Sequence, residues 1–174
     1  GVGRGGAWWG GGGGGWRGGH RRPSQTRVRN DGGCGGGPWG VKEVVTVSDG
    51  YVWVGIKALA GEEDQAGGGV WRWQDGGHYY VARANALENN VSLYYTQAGR
   101  RNTLKYVDAP VAGNQWHTLR VEFAGQHIRV ALDGKIYIET DDAHIAAAGA
   151  VGVWTKADSV TVLDNFAYQS TASK

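Results

Sequence analysis

An all-β, antiparallel two-sheet β-sandwich is the fold class the sequence predicts, and three features between Val41 and Lys174 predict it. Val and Tyr are dense, Pro is nearly absent, and turn signals recur about every 8–12 residues, the spacing of a sandwich or barrel. No window carries helical periodicity, except for a short turn near residues 142–147.

The elements follow in order. Val44–Val47 and Tyr51–Ile56 flank a turn at Asp49-Gly50, and Gly69–Trp73 and Tyr79–Ala86 flank Asp75-Gly76. Val91–Thr96, Thr103–Val107 and Trp116–Phe123 come next. His127–Leu132 and Lys135–Glu139 flank Asp133-Gly134, a strong two-residue hairpin signal. Val151–Thr155 and Val160–Phe166 complete the set. Short antiparallel connections between about ten strands are best satisfied by two stacked sheets.

Residues 1–40 differ in kind. They hold 18 of the 32 glycines and no Leu, Ile or Phe, yet carry Trp8, Trp9, Trp16 and Trp39. Such a stretch buries too little apolar surface to offset its ordering entropy. It reads either as a flexible Gly/Trp-rich tail or as edge strands in which glycine stands for other side chains. The abrupt change of composition and the absence of Met favour the second. A chain that begins with Gly and lacks Met also reads as processed, truncated or not taken directly from a gene. The predicted organisation is therefore a segment of uncertain identity over 1–40 and a sandwich domain over 41–174.

Composition excludes several functions. The net charge is +2, with 18 basic and 16 acidic residues interspersed, so the concentrated basic stripe of a nucleic-acid binder is missing. The cluster Arg17, Arg21, Arg22, Arg27 and Arg29 is the exception, set in glycine-rich sequence. A single Cys34 rules out an internal disulfide and a cysteine zinc cage. No apolar run is long enough for a membrane span, and no signal-peptide pattern is present. The five histidines lack paired metal spacing; His117, at a strand start, reads as structural.

The segment Gly68–Tyr95 carries the functional signal. Four-residue hairpins at Gln74–Gly77 and Leu87–Asn90 place Arg72 opposite Tyr79, Arg83 opposite Tyr94 and Asn85 opposite Ser92. Alternation puts these six on one face and Trp71, Trp73, Tyr80, Ala82, Ala84, Leu93 and Tyr95 on the other. A one-residue slip would mix the two sets. The first set either decorates a solvated sheet, where arginine–aromatic contacts stabilise strands, or binds a sugar. Sugar rings are held by aromatic faces against C–H groups and by Arg, Asn and Asp on hydroxyls.

Several phrases in the same order resemble one family: DQAGG (Asp64–Gly68), VWRWQD (Val70–Asp75), HYYVARANALENNV (His78–Val91), WHTLRVEF (Trp116–Phe123), IRVALDGK (Ile128–Lys135) and VGVWTKADSV (Val151–Val160). They resemble the bacterial concanavalin A-like, laminin G-like jelly rolls, in the branch called family 16 glycoside hydrolase-like or 3-keto-disaccharide hydrolase-like. The resemblance spans roughly Val41–Tyr168. It implies a curved sandwich whose concave face meets carbohydrate, with Trp154, Lys156 and Asp158 in the same region as Arg72, Arg83 and Asn85. It also implies a structural calcium ion, for which Asp164 is one possible oxygen ligand.

A retaining glycosidase needs two carboxylates about 5 Å apart, which family 16 hydrolases place as Glu-x-Asp-x-x-Glu. The nearest match, Glu62-Glu63-Asp64, has Gly67 at the last position, so the hydrolase activity does not carry over with the fold. The expectation is a non-catalytic carbohydrate-binding domain, secreted or periplasmic, that needs no cofactor. Its ligand face would comprise Arg72, Arg83, Asn85, Tyr94, Trp154, Lys156 and Asp158. Two alternatives stand beside it: a glycoside-active enzyme using Asp158 or Glu88 as acid–base, and a self-associating structural sandwich. The sequon Asn90-Val91-Ser92 reads as coincidental.

Overall fold

Asp133 and Gly134 both adopt positive φ, 51° and 84°, the mirror-image turn whose twist suits a two-residue hairpin. Leu132 and Lys135 pair across it. Hairpins of this kind build two antiparallel sheets. The structure, a computed structural model, describes residues 2–4, 26–29, 39–156 and 158–171. Its strands are β1 (Val2–Arg4), β2 (Thr26–Arg29), β3 (Trp39–Val47), β4 (Gly50–Ala60), β5 (Ala66–Asp75), β6 (His78–Asn85) and β7 (Asn90–Gln97). They continue as β8 (Arg100–Asp108), β9 (His117–Ala124), β10 (His127–Leu132), β11 (Lys135–Asp141), β12 (Gly149–Thr155) and β13 (Val160–Ser170).

One sheet runs β1-β13-β4-β9-β10-β11, with β2 also on β13; the other runs β3-β12-β5-β6-β7-β8. Within residues 1–40, Val2–Arg4 and Thr26–Arg29 thus pair with β13. Residues 5–25 and 30–38 lie outside the described residues, and with them Cys34, Arg17, Arg21 and Arg22.

The inner faces enclose the core predicted by alternation. Trp71 is fully buried and stacked between Tyr80 and Phe123, with ring centroids 5.3 Å and 5.7 Å away. Val52, Val54, Leu119, Val121, Val130 and Leu93 fill the space around it. The predicted helical turn at 142–147 does not form. Asp142 instead accepts hydrogen bonds from the Tyr80 hydroxyl and from the His144 amide (3.0 Å), and its other oxygen lies 2.7 Å from His144 Nδ1. Side-chain bonds of this kind compete with helical ones. Burial and the Asp142 carboxylate push the Tyr80 hydroxyl well above the ordinary tyrosine range, so it stays a donor.

Two registers differ from expectation. Between β6 and β7, Arg83 faces Ser92, Asn85 faces Asn90 and Tyr94 faces Val81, a shift of two residues. The connecting loop is 86–89, because Asn85 Oδ1 accepts the amides of Leu87 (2.9 Å) and Glu88 (3.3 Å) and so starts the turn at once. An even shift leaves every side chain on its predicted face. Between β5 and β6 the pairing holds from Ala66 to Trp71 and then breaks before Asp75. Arg72 sits in this irregularity with φ 46°, and the one residue that β5 gains over β12 between Val70 and Trp73 exchanges the faces that follow. Arg72 therefore turns inward, over Phe123 at 5.8 Å, and Trp73 turns outward.

Two adjacent glycines let β5 lie close to its neighbours. A Cβ at Gly67 would stand 2.9 Å from Ile56 Cγ2 across the core, and one at Gly68 would stand 2.1 Å from the Ala82 carbonyl oxygen. The second obstacle is backbone and cannot move aside. Gly68→Ala is therefore expected to lower stability by at least about 2 kcal/mol, read as a fall in the urea midpoint. An unchanged midpoint would contradict this packing.

Candidate functional site

The outer face of the second sheet holds an apolar cluster and, next to it, a network of charged and polar groups. The cluster is Ala66, Val70, Tyr79, Val81, Tyr94 and Trp154, flanked by Trp73. Cross-strand pairing sets Trp154, Gly68, Arg83, Ser92 and Tyr106 in one row over five strands. Gly68 contributes no side chain, so the row has a gap between Trp154 and Arg83. The next row, Ala66, Asn85, Asn90 and Asp108, runs beside it.

Arg83 is the centre of the network. Its side chain is 4% exposed, and it donates to Asp64 Oδ1 and to Glu88 Oε2, each at 3.1 Å. Asn85 Nδ2 also donates to Asp64 Oδ1 at 2.8 Å, and Lys156 Nζ stands 2.9 Å from Asp64 Oδ2. Glu88 Oε2 further accepts from Asn90 Nδ2 (2.8 Å), which also donates to the Tyr106 hydroxyl at 2.6 Å. Ser92 Oγ closes the chain on Asn90 Oδ1 at 2.9 Å. Asn90 is fully buried, so its sequon offers no accessible amide. A guanidinium matched by two carboxylates satisfies the requirement that buried charge be paired.

Three devices bring distant residues to this point. Asp64 rides on the loop between β4 and β5, which Asp158 clips by accepting the amides of Glu62 (2.5 Å), Glu63 (3.2 Å) and Asp64 (3.2 Å). Ser159 Oγ donates to the Asp64 carbonyl and accepts from the Ala66 amide. Ala86 N donates to the Gln65 carbonyl at 2.9 Å, tying the loop that carries Glu88 to the one that carries Asp64.

Of the predicted ligand residues, Arg83, Asn85, Tyr94, Trp154 and Lys156 share this outer face. Arg72 does not. Its guanidinium donates between the sheets to the carbonyls of Ser48 (3.1 Å), Ile145 (3.0 Å) and Gly125 (2.7 Å), and stands 3.4 Å from Asp49. The bulge that sends it inward cannot be read from alternation. Asp158 is occupied by backbone amides; the Glu62 amide first, with those of Asp64 and Glu63, holds its carboxyl below the usual 3.8. Tyr94 and Trp154, 5% and 1% exposed, offer no open ring. Arg83 and Arg101 stand over Tyr94 at 5.3 Å and 4.9 Å.

Alternation missed three residues. Asp64 lies in a loop, outside any strand pattern. Glu88 is a turn residue that only the hairpin geometry returns to Arg83. Tyr106, 53% exposed, is the open aromatic of the face; its place depends on a register shift between Leu93 and Tyr94. His117 is structural: its ring nitrogens lie 2.7 Å from Asp133 Oδ2 and 2.9 Å from the Ala112 carbonyl. Asp164 accepts the Asn165 amide, and among the described residues no group of three His, Cys, Asp or Glu stands together as a metal site.

No family model matches the chain, and no curated protein matches it in sequence. Solved structures do match. The carbohydrate-binding module CBM66 from Bacillus subtilis superposes with a TM-score of 0.71 at 20% identity, over 84% of this chain and 92% of that one. The galectin LEC-6 from Caenorhabditis elegans gives 0.52 at 11% identity, over 84% and 91%. The Bacillus licheniformis β-glucanase gives 0.55 at 17%, over 74% and 69%. The fold is a concanavalin A-like jelly roll, as the sequence phrases suggested.

Two measurements test the network. Asp64→Ala removes one of the two carboxylates paired with Arg83, the one that is almost fully buried, and should cost about 1–3 kcal/mol of unfolding free energy. The Asp158 clip forms only in the folded chain, and its carboxyl is depressed when folded. Its stabilisation is therefore present above the unfolded value and lost as pH falls through the folded one. An NMR titration should find the Asp158 carboxyl midpoint below 3.8; a midpoint at or above it removes the clip.

Proposed function

We propose that this chain is a carbohydrate-binding domain, without catalytic activity, that works outside the cytoplasm and receives a glycan on the outer face of the β3-β12-β5-β6-β7-β8 sheet. The observation that carries this reading is the buried Arg83–Asp64–Glu88 network, which presents partly exposed groups at its surface: Glu88 at 38%, Lys156 at 29% and Tyr106 at 53%. A carboxylate, an ammonium and a phenol ring in fixed positions suit a ring of hydroxyls with an apolar C–H face. Holding them on buried partners lowers the ordering cost of binding. The jelly-roll likeness to a carbohydrate-binding module and to a glucanase supports the class of ligand.

The carboxylates' partners support binding over cleavage. Asp64 accepts from Arg83 and Asn85 and pairs with Lys156. Asp158 accepts three backbone amides and is held ionised, a poor state for a general acid.

A glycan array followed by calorimetry tests the reading. Tyr106→Ala should weaken binding about tenfold, whereas Ile136→Ala, exposed on the other sheet, should leave it unchanged. Array silence, or equal effects of the two variants, would refute it. Hydrolysis of a glycoside by the wild-type chain, lost in Glu88→Gln, would instead establish the enzyme alternative.

A further inference from the structure

The charges on this face are not evenly matched. Arg83 and Lys156 are compensated by Asp64 and Glu88. Arg101, on β8, is not: its guanidinium is exposed, held 4.9 Å from the centre of the Tyr94 ring, and has no ion pair with any described residue. Directly across from it on β7 stands Thr96, 3% exposed, whose Oγ1 is buried and has no hydrogen-bond partner. An exposed guanidinium without an ion pair among the described residues is thus seated on an aromatic ring of this face.

The face is also polarised. Its acids, Glu62, Glu63, Asp64, Glu88, Asp108 and Asp158, gather at the loop end. Arg101 stands at the opposite end, in the row of Thr96 and Tyr79. A ligand that spans the face with its hydroxyls at Glu88 and Lys156 brings its far end to Arg101. Resting the guanidinium on Tyr94 orients its planar fork, and that fork matches a carboxylate in two parallel hydrogen bonds.

Resting on the binding reading above, we infer that the glycan is acidic: it carries a uronic acid whose carboxylate pairs with Arg101 beside Tyr94, while neutral hydroxyls meet Glu88, Lys156 and Tyr106. Arg101 is thus the residue that selects acidic over neutral glycans.

The test is an array of neutral, uronate-bearing and sulfated glycans probed with wild type, Arg101→Gln and Tyr106→Ala, each first checked for an unchanged thermal midpoint. Wild type should retain uronate-bearing glycans. Arg101→Gln should lose about tenfold on these and little on their methyl esters, whereas Tyr106→Ala should weaken both forms alike. Retention of only neutral or only sulfated glycans, or uronate binding untouched by Arg101→Gln, overturns the assignment and leaves the binding reading standing. An array on which nothing is retained overturns both.

Discussion

A guanidinium enters a protein interior only where acceptors meet its donors, and Arg72 finds four of them between the sheets. The Ser48, Gly125 and Ile145 carbonyls and the Asp49 carboxylate belong to three separate connections. One side chain thereby gathers the β3–β4 turn, the β9–β10 turn and the segment after β11 at a single end of the sandwich. The bulge that allows it lies in β5, which sits between β12 and β6. Without the bulge, Arg72 would face outward and Trp73 would press into a core already occupied by Trp71. Up to Trp71 the faces of β5 follow ordinary alternation; the place of Arg72 inside and of Trp73 beside the outer cluster follows from the one residue gained over β12.

The outer network obeys the same rule with different means. Arg83 is as deeply buried as Arg72, but its partners are side chains rather than carbonyls. Carboxylates can rotate away and are shared with Asn85, Asn90 and Lys156, so the cluster is held by mutual occupancy. Its Nε is buried and has no hydrogen-bond partner among the described residues. The Asp158 clip and Ser159 matter because Asp64 is on a loop, where nothing but such bonds fixes a side chain's position.

How much of this was legible follows from the period of a strand. The separation of Tyr80, Ala82 and Leu93 from Arg83, Asn85 and Tyr94 was readable because alternation survives any even shift in pairing. The register itself was two residues off for β6 and β7, since Asn85 initiates the turn through its own side chain. Arg72 and Trp73 were placed on each other's faces because a bulge has no alternating signature. Asp64 and Tyr106 were not among the expected ligand residues, and Glu88 was marked only as an acid–base of the enzyme alternative: two lie in loops, and Tyr106 lies beyond a register shift.

By itself the sequence determined the class of fold, most strand positions and the composition of the two faces of β6 and β7. Those depend on local spacing and side-chain type, which a linear pattern records. Only the tertiary structure decided which charged groups meet. Asp64, Arg83, Glu88, Tyr106 and Lys156 come from five separate stretches of chain, and their pairing is fixed by loop closure and by the need of each buried charge for a partner. Among the described residues the same closure leaves Arg101 with the Tyr94 ring and no ion pair.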